Sequence, residues 1–247
     1  MSWTIKSKIE SFDVQPNGNV KISSLLKLFQ KAAGDELLDT PFGFFNLASR
    51  NVAFVLTKMT VNIIKDIKIY DELEIITHPR KLRGASYPRD FIVKSHGETV
   101  AVARSVWVLL DIEKRCILRP SAIADLGEIP TSDIDSFEIE DVRRIIEPNS
   151  LSRTDVRNVC YSNLDMNNHL NNTYYSDFVF DCINPDEHIS DAGLYLQINY
   201  KNEARLGDTL DIMSVKSQFD GKNQYDFSAN LTGSDKVCFT AFVRFGN

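Results

Sequence analysis

Asp165, Asn167 and His169 place an acid, an amide and an imidazole within one short, markedly polar stretch, Asn163-Leu-Asp-Met-Asn-Asn-His-Leu-Asn-Asn-Thr-Tyr-Tyr-Ser-Asp177. If residues 165–169 run extended, these three side chains fall at i, i+2 and i+4 and share one side, with Met166 and Asn168 on the other. A carboxylate and an imidazole so placed can take a proton from water and deliver it to a leaving group, while the amide holds a carbonyl. The period then changes. Tyr174, Tyr175, Phe178, Val179, Cys182 and Ile183 repeat at three-and-four spacing, which is an apolar helical face. Asn171 or Asn172 is the expected N-cap, and the N–H groups of that helix start would sit beside the polar trio, where they would stabilise a developing oxyanion.

The elements that must position this stretch occur twice. Leu25, Leu26, Phe29 and Ala33 stand in the same relation as Tyr174, Tyr175, Phe178 and Cys182, each pair 149 residues apart (174 − 25). Strand-like segments follow in each half. In the first they are 52–63, 71–77, 86–95 and 99–110; in the second, 194–201, 208–217, 225–232 and 237–245. Ile69-Tyr-Asp-Glu-Leu-Glu-Ile parallels Leu206-Gly-Asp-Thr-Leu-Asp-Ile at an offset of 137 (208 − 71), so the first half carries extra residues, for which 42–50 is the expected insertion. Pro120, Pro130, Pro148 and an acidic run from Asp133 to Asp141 mark a connector. The expected fold class is α+β, with residues 1–120 as one unit, 121–150 as connector and 151–247 as the second unit. In the helix register the first half has Pro16 and Val20, or one residue earlier Gln15 and Asn19, at the places of Asp165 and His169, so one half alone carries the acid and imidazole.

Composition narrows the function. With 247 residues and 43% hydrophobic content the chain can bury a substantial core. Its net charge of −6 argues against a general nucleic-acid binder. The longest apolar run, Val100 to Leu110, is interrupted by Arg104, so no membrane span is expected. Met1-Ser-Trp-Thr-Ile-Lys-Ser-Lys-Ile-Glu has no apolar h-region, and Cys116, Cys160, Cys182 and Cys238 are scattered without metal-site spacing. Reduced thiols in a cytoplasmic protein, with neither metal nor cofactor, are the expectation. His78, His96 and His188 lack polar company and read as surface residues.

Leu164-Asp-Met-Asn-Asn-His-Leu-Asn-Asn-Thr-Tyr-Tyr, Tyr200-Lys-Asn-Glu-Ala, Arg89-Asp90 and Ser105-Val-Trp-Val resemble, in order and over nearly the whole chain, the acyl-acyl-carrier-protein (acyl-ACP) thioesterase family. The resemblance implies two tandem hotdog folds, each a long helix wrapped by an antiparallel sheet, and hydrolysis of a fatty acyl thioester on acyl-carrier protein. It assigns catalytic parts to Asp165, Asn167, His169 and, from the Tyr200-Lys-Asn-Glu-Ala string, Glu203. Many relatives have Cys directly after that Glu; here the position is Ala204, which excludes a cysteine nucleophile there. Either Glu203 or Asp165 would activate water, His169 would orient that carboxylate or carry the proton, and Asn167 would hold the carbonyl; direct attack by Asp165 stays open. The aromatic-rich first half, with Phe29, Phe42, Phe44, Phe45, Phe54, Met59 and Trp107, would supply the acyl pocket. Arg80-Lys81-Leu-Arg83 and Arg143-Arg144 are candidate docking sites for the acidic carrier. An acyl-CoA thioesterase and a non-hydrolytic acyl-binding protein remain alternatives, and two fused hotdogs leave a homodimer open.

Overall fold

The structure, a computed structural model, describes residues 2–132, 137–141, 151–187, 190 and 192–246. The first half runs β1 (Trp3–Lys8), α1 (Ile22–Leu37), α2 (Phe44–Ala48), β2 (Val52–Ile63), β3 (Glu72–Pro79), β4 (Ser86–Ser95), β5 (Glu98–Asp111) and β6 (Cys116–Leu118). The second half runs β7 (Ser152–Asn158), α3 (Tyr174–Phe180), β8 (Tyr195–Tyr200), β9 (Thr209–Phe219), β10 (Lys222–Leu231) and β11 (Val237–Arg244). Each expected strand is present, since alternating side chains need one face on a helix and one outward.

The sheet is continuous, in the order β1-β3-β4-β5-β2-β8-β11-β10-β9-β7, with β6 beside β5. The halves meet where β2 and β8 pair antiparallel, from Lys58 opposite Asn199 to Asn62 opposite Tyr195. Pairing there removes the edge that either half would otherwise present to solvent. Helix α1 buries Leu25, Leu26, Phe29, Ala32 and Ala33. Phe29 stacks on Phe91 of β4 at 4.6 Å, and its full burial is worth roughly 2–3 kcal/mol. In the second half Tyr175, on the shorter α3, packs edge-on to Phe239 at 5.1 Å and Tyr200 at 5.5 Å. The two-hotdog architecture is therefore present, with one long helix and one short.

Two expectations are corrected here. Isolated bridges pair Val14 with Val20 and Leu164 with Leu170, so the structural repeat is 150 residues (164 − 14), not 149. An apolar helical stripe is wide enough that a one-residue slip still matches, which is why the helix alone misplaced the register. His78 is 1% exposed on β3, not a surface residue. His188, Arg143, Arg144 and residues 133–136 of the acidic run lie outside the described residues. Within the expected connector, the short helical turn Pro120–Leu126 buries Ile123 against Phe42, Leu47, Val52 and Leu109, and so forms part of the first half's packing.

Candidate active site

Residues 165–169 form a tight turn, not the extended segment expected. The Asn168 N–H bonds the Asp165 carbonyl at 3.0 Å, and the Asp165 N–H returns to the His169 carbonyl at 2.8 Å. Asn168 adopts a left-handed φ of 59°, which Asn tolerates better than most residues. The Asp165 carboxylate itself closes the turn, accepting the N–H groups of Asn167 at 2.8 Å and His169 at 3.3 Å. Asp165 and His169 are therefore paired across the base of the turn. Asn167 lies at its tip, exposed, and its side chain makes no hydrogen bond to Asp165, His169 or Glu203 among the described residues. The alternation argument failed because the carboxylate competes for backbone donors that a strand would have left to a neighbour.

Glu203 enters from the loop after β8. The Leu170 N–H bonds the Ala204 carbonyl at 2.8 Å, and His169 forms an isolated bridge with Arg205. This backbone stitch sets Oε2 of Glu203 3.0 Å from Nε2 of His169. The other oxygen, Oε1, accepts Nη2 of Arg205 at 2.8 Å and is also paired with Arg115, which reaches over from the β5–β6 turn. Burial opposes the charge on Glu203, but Arg115, Arg205 and His169 together hold its carboxyl below the usual carboxylate range. Glu203 is thus a fixed anion that orients the imidazole. Burial drives the Tyr175 phenol well above its usual range, with Glu203 and Asp165 near enough to add to the rise. Asp165, His169, Glu203 and Tyr175 all line the same cleft.

Helix α3 begins at Tyr174, later than expected, with Thr173 as N-cap and no side-chain cap bond. Asn171 instead organises the turn before it, its Oδ1 accepting the Thr173 N–H at 3.0 Å and hydroxyl at 2.8 Å. Asn172 ties the two halves, accepting Nε2 of Gln30 on its side chain at 2.6 Å and the Tyr200 hydroxyl on its carbonyl at 3.2 Å.

The polar cluster opens onto a cleft of about 2150 Å³. Asp165, Asn167, His169 and Glu203 line it at the second half, while Ala33, Leu37, Phe42, Phe54, Leu56 and Trp107 line it at the first. Sequence reasoning missed Arg115, Arg205 and Tyr175; nothing in the run Ile112-Glu-Lys-Arg115 distinguishes Arg115 from an ordinary turn cation. Burial pushes the Cys182 and Cys238 thiols up to about 11, which leaves both protonated and unreactive. Among the described residues no His, Cys, Asp and Glu cluster could hold a metal ion, and no helix is long and apolar enough to cross a membrane.

Residues 2–125 match the acyl-ACP thioesterase N-terminal domain and residues 147–243 the acyl-ACP thioesterase C-terminal domain. The chain belongs to the acyl-ACP thioesterase family. Among curated relatives of this family, it is 26% identical over 191 residues to the chloroplastic palmitoyl-acyl carrier protein thioesterase of Arabidopsis thaliana. That match covers 70% of this chain and 45% of the relative. To the chloroplastic oleoyl-acyl carrier protein thioesterase 2 of the same plant it is 23% identical over 232 residues, covering 87% of this chain and 63% of the relative. The chain thus spans less than two thirds of either relative's length. An acyl-ACP thioesterase from Bacteroides thetaiotaomicron superposes with a TM-score of 0.82 at 22% identity, covering 99% of this chain and 97% of that one. The 12:0-ACP thioesterase from Umbellularia californica superposes with a TM-score of 0.78 at 18% identity, covering 99% and 93%. Both share the double hotdog fold of acyl-ACP thioesterases.

Proposed function

We propose that this protein hydrolyses the thioester of a fatty acyl chain carried on acyl-carrier protein, releasing the free acid and the carrier thiol. The observation that carries this reading is the His169–Glu203 pair at one wall of a cleft whose opposite wall is apolar and comes from the other half. Residues 1–120 would then bind the acyl chain and residues 151–247 perform the chemistry, with 121–150 between them.

Glu203, held ionised by two guanidinium groups, orients His169. The imidazole takes a proton from water as the water oxygen forms a bond to the acyl carbonyl carbon. The C–S bond then breaks, and His169 returns that proton to the departing sulfur. Asp165 holds the loop that presents His169, its carboxylate accepting the N–H groups of Asn167 and His169. Asn167, exposed at the tip of the turn and lining the cleft, would hold the acyl carbonyl.

For the carrier itself, Lys81 and Arg83 of the expected Arg80-Lys81-Leu-Arg83 cluster are exposed and stay candidates, while Arg80 is engaged within the chain. Arg80 is committed to Asp90 at 3.3 Å and to the Ser132 carbonyl at 2.8 Å. Exposed Lys201 and Lys236 line the cleft and also suit an acidic partner. All four cysteines are free, in keeping with a reducing compartment such as the cytoplasm. The test is thiol release from matched acyl-ACP and acyl-CoA over a series of chain lengths. Preferential hydrolysis of acyl-ACP, lost in a folded His169→Ala protein, is expected; preference for acyl-CoA, or release from neither, overturns the assignment.

A further inference from the structure

We infer that Arg115 is a positioning residue that couples the acyl-binding half to the catalytic carboxylate, clasping Glu203 from a turn whose arm forms a wall of the acyl cleft. This rests on the functional reading above.

Glu203 is the meeting point of several elements. His169 faces one oxygen from the 165–168 turn, and Arg205 faces the other from its own loop. Tyr175 approaches from α3 and Asp165 adds its charge nearby. Arg115 alone among these partners belongs to the first half. It sits at a left-handed φ of 55° at the end of the β5–β6 turn, its N–H bonded to the Asp111 carbonyl at 2.9 Å, so the backbone that aims it is fixed. Such a conformation costs about 1 kcal/mol or more in a non-glycine residue, and it persists because the surrounding hairpin imposes it.

The arm that continues from Arg115 is not a free loop. Ile112, Ile117, Pro120 and Ile123 all line the cleft, and Ile123 is 3% exposed against Phe42 and Leu47. An acyl chain filling that compartment presses on the arm whose tip holds Glu203. Arg205 cannot serve this purpose, since it moves with Glu203 itself. With 46% of its side chain exposed against 61% for Arg205, Arg115 is also the better shielded cation. The carboxylate rotamer, and with it the direction of the His169 ring, depends on where the acyl-lined arm stands.

The test compares Arg115→Ala, Arg115→Lys and Arg205→Ala in the full-length protein, using long and short acyl-ACP substrates. Arg115→Ala should lower kcat about tenfold to a hundredfold, with KM within about twofold, as expected for loss of a group that orients a catalytic one. Its loss should be greater for long chains, so discrimination by length narrows; Arg115→Lys should recover part of kcat, and Arg205→Ala should leave length discrimination intact. A carbon-13 titration of the Glu203 carboxylate gives a readout independent of turnover. Its midpoint should rise in Arg115→Ala, because one of the cations that hold it down is gone. Unchanged kcat and length profile with a risen midpoint overturns the positioning role, as does a loss confined to KM. A wild-type protein that releases no thiol while the midpoint still rises overturns the functional reading instead.

Discussion

Asn19 occupies in the first half the position that His169 occupies in the second. Each lies 150 residues from the other (169 − 19) and forms an isolated bridge to a basic residue, Lys68 for Asn19 and Arg205 for His169. Asp66 stands where Glu203 stands (203 − 66 = 137), but it accepts the Ser190 hydroxyl and the Ala192 N–H, each at 3.0 Å, and pairs with Lys68. Lys68 in turn donates to the Asn19 side chain, which is fully buried. The same architecture thus builds a closed polar node in one half and, in the other, an imidazole–carboxylate pair that lines the cleft. An amide in place of an imidazole neither gains nor loses a proton near neutral pH, so the first-half node lacks a general acid–base group.

A single site per chain follows, and His169→Gln tests it. Removal of the only imidazole in the cluster should reduce kcat about 10²- to 10⁴-fold, the usual worth of a positioned acid–base group. The side chain is 23% exposed, and Gln keeps a polar group within reach of Glu203, so the melting temperature should change little. Substantial residual thiol release from a folded His169→Gln protein would show that the first half retains chemistry or that Asp165 acts unaided.

Glu203 makes a prediction about stability and pH. Its carboxyl is held below the usual range by Arg115, Arg205 and His169 in spite of burial. A depressed folded-state pKa stabilises the protein above the unfolded value, near about 4.3, and that stabilisation disappears as pH falls through the folded value. Partial exposure screens it to about 1 kcal/mol or less. Urea melts of wild type and Glu203→Gln should therefore differ at neutral pH, with wild type the more stable, and converge as pH falls below the unfolded value and through the folded one. A gap that widens on acidification would contradict the charge clasp.

Asp165 has two functions that substitution can separate. Its oxygen accepts two backbone N–H groups, a part that an Asn side-chain carbonyl can also fill. Asp165→Asn should therefore leave stability nearly unchanged while cutting turnover, whereas Asp165→Ala should also cost about 1 kcal/mol through the lost turn bonds. Equal melting curves for the two variants would mean the carboxylate does not organise the turn.

Much of this was legible in the residues, and the failures share a cause. Alternation located β2 to β5 and β8 to β11, because a sheet wrapped on a helix leaves a period-two trace, but it did not show β6 or β7. Asp165, His169 and Glu203 were legible by type and motif. The shape of the 165–168 turn was not, since a side-chain acceptor overrode the extended pattern. Arg115 left no trace either: a long-range ion pair joining turns 88 residues apart (203 − 115) depends on tertiary closure rather than local period. His78 was misread outward for a similar reason, since its burial on β3 comes from tertiary packing that local period does not show.

Asp90 illustrates that buried order. It is fully buried and accepts Nε and Nη2 of Arg104 at 2.6 and 2.9 Å, with Nε of Arg80 at 3.3 Å. Asp90→Ala would strand two cations in a partly desolvated site, and should cost about 3–5 kcal/mol in denaturant melts. A loss below about 1 kcal/mol would show that water replaces the carboxylate.

Gly34 gives the most direct view of the acyl compartment. It lies inside α1 and lines the cleft, and a Cβ built there meets nothing within 4 Å. Gly34→Ala should therefore stabilise the helix by about 0.5–1 kcal/mol without obstructing substrate. Gly34→Phe keeps the helical backbone but directs a ring into the cleft beside Ala33 and Leu37. Long acyl chains should then lose kcat/KM by at least about tenfold relative to short ones, the worth of one to a few displaced methylenes in an apolar pocket. A uniform loss across chain lengths would instead mean that the ring distorts α1, and an unchanged profile would mean that the chain does not run along this wall.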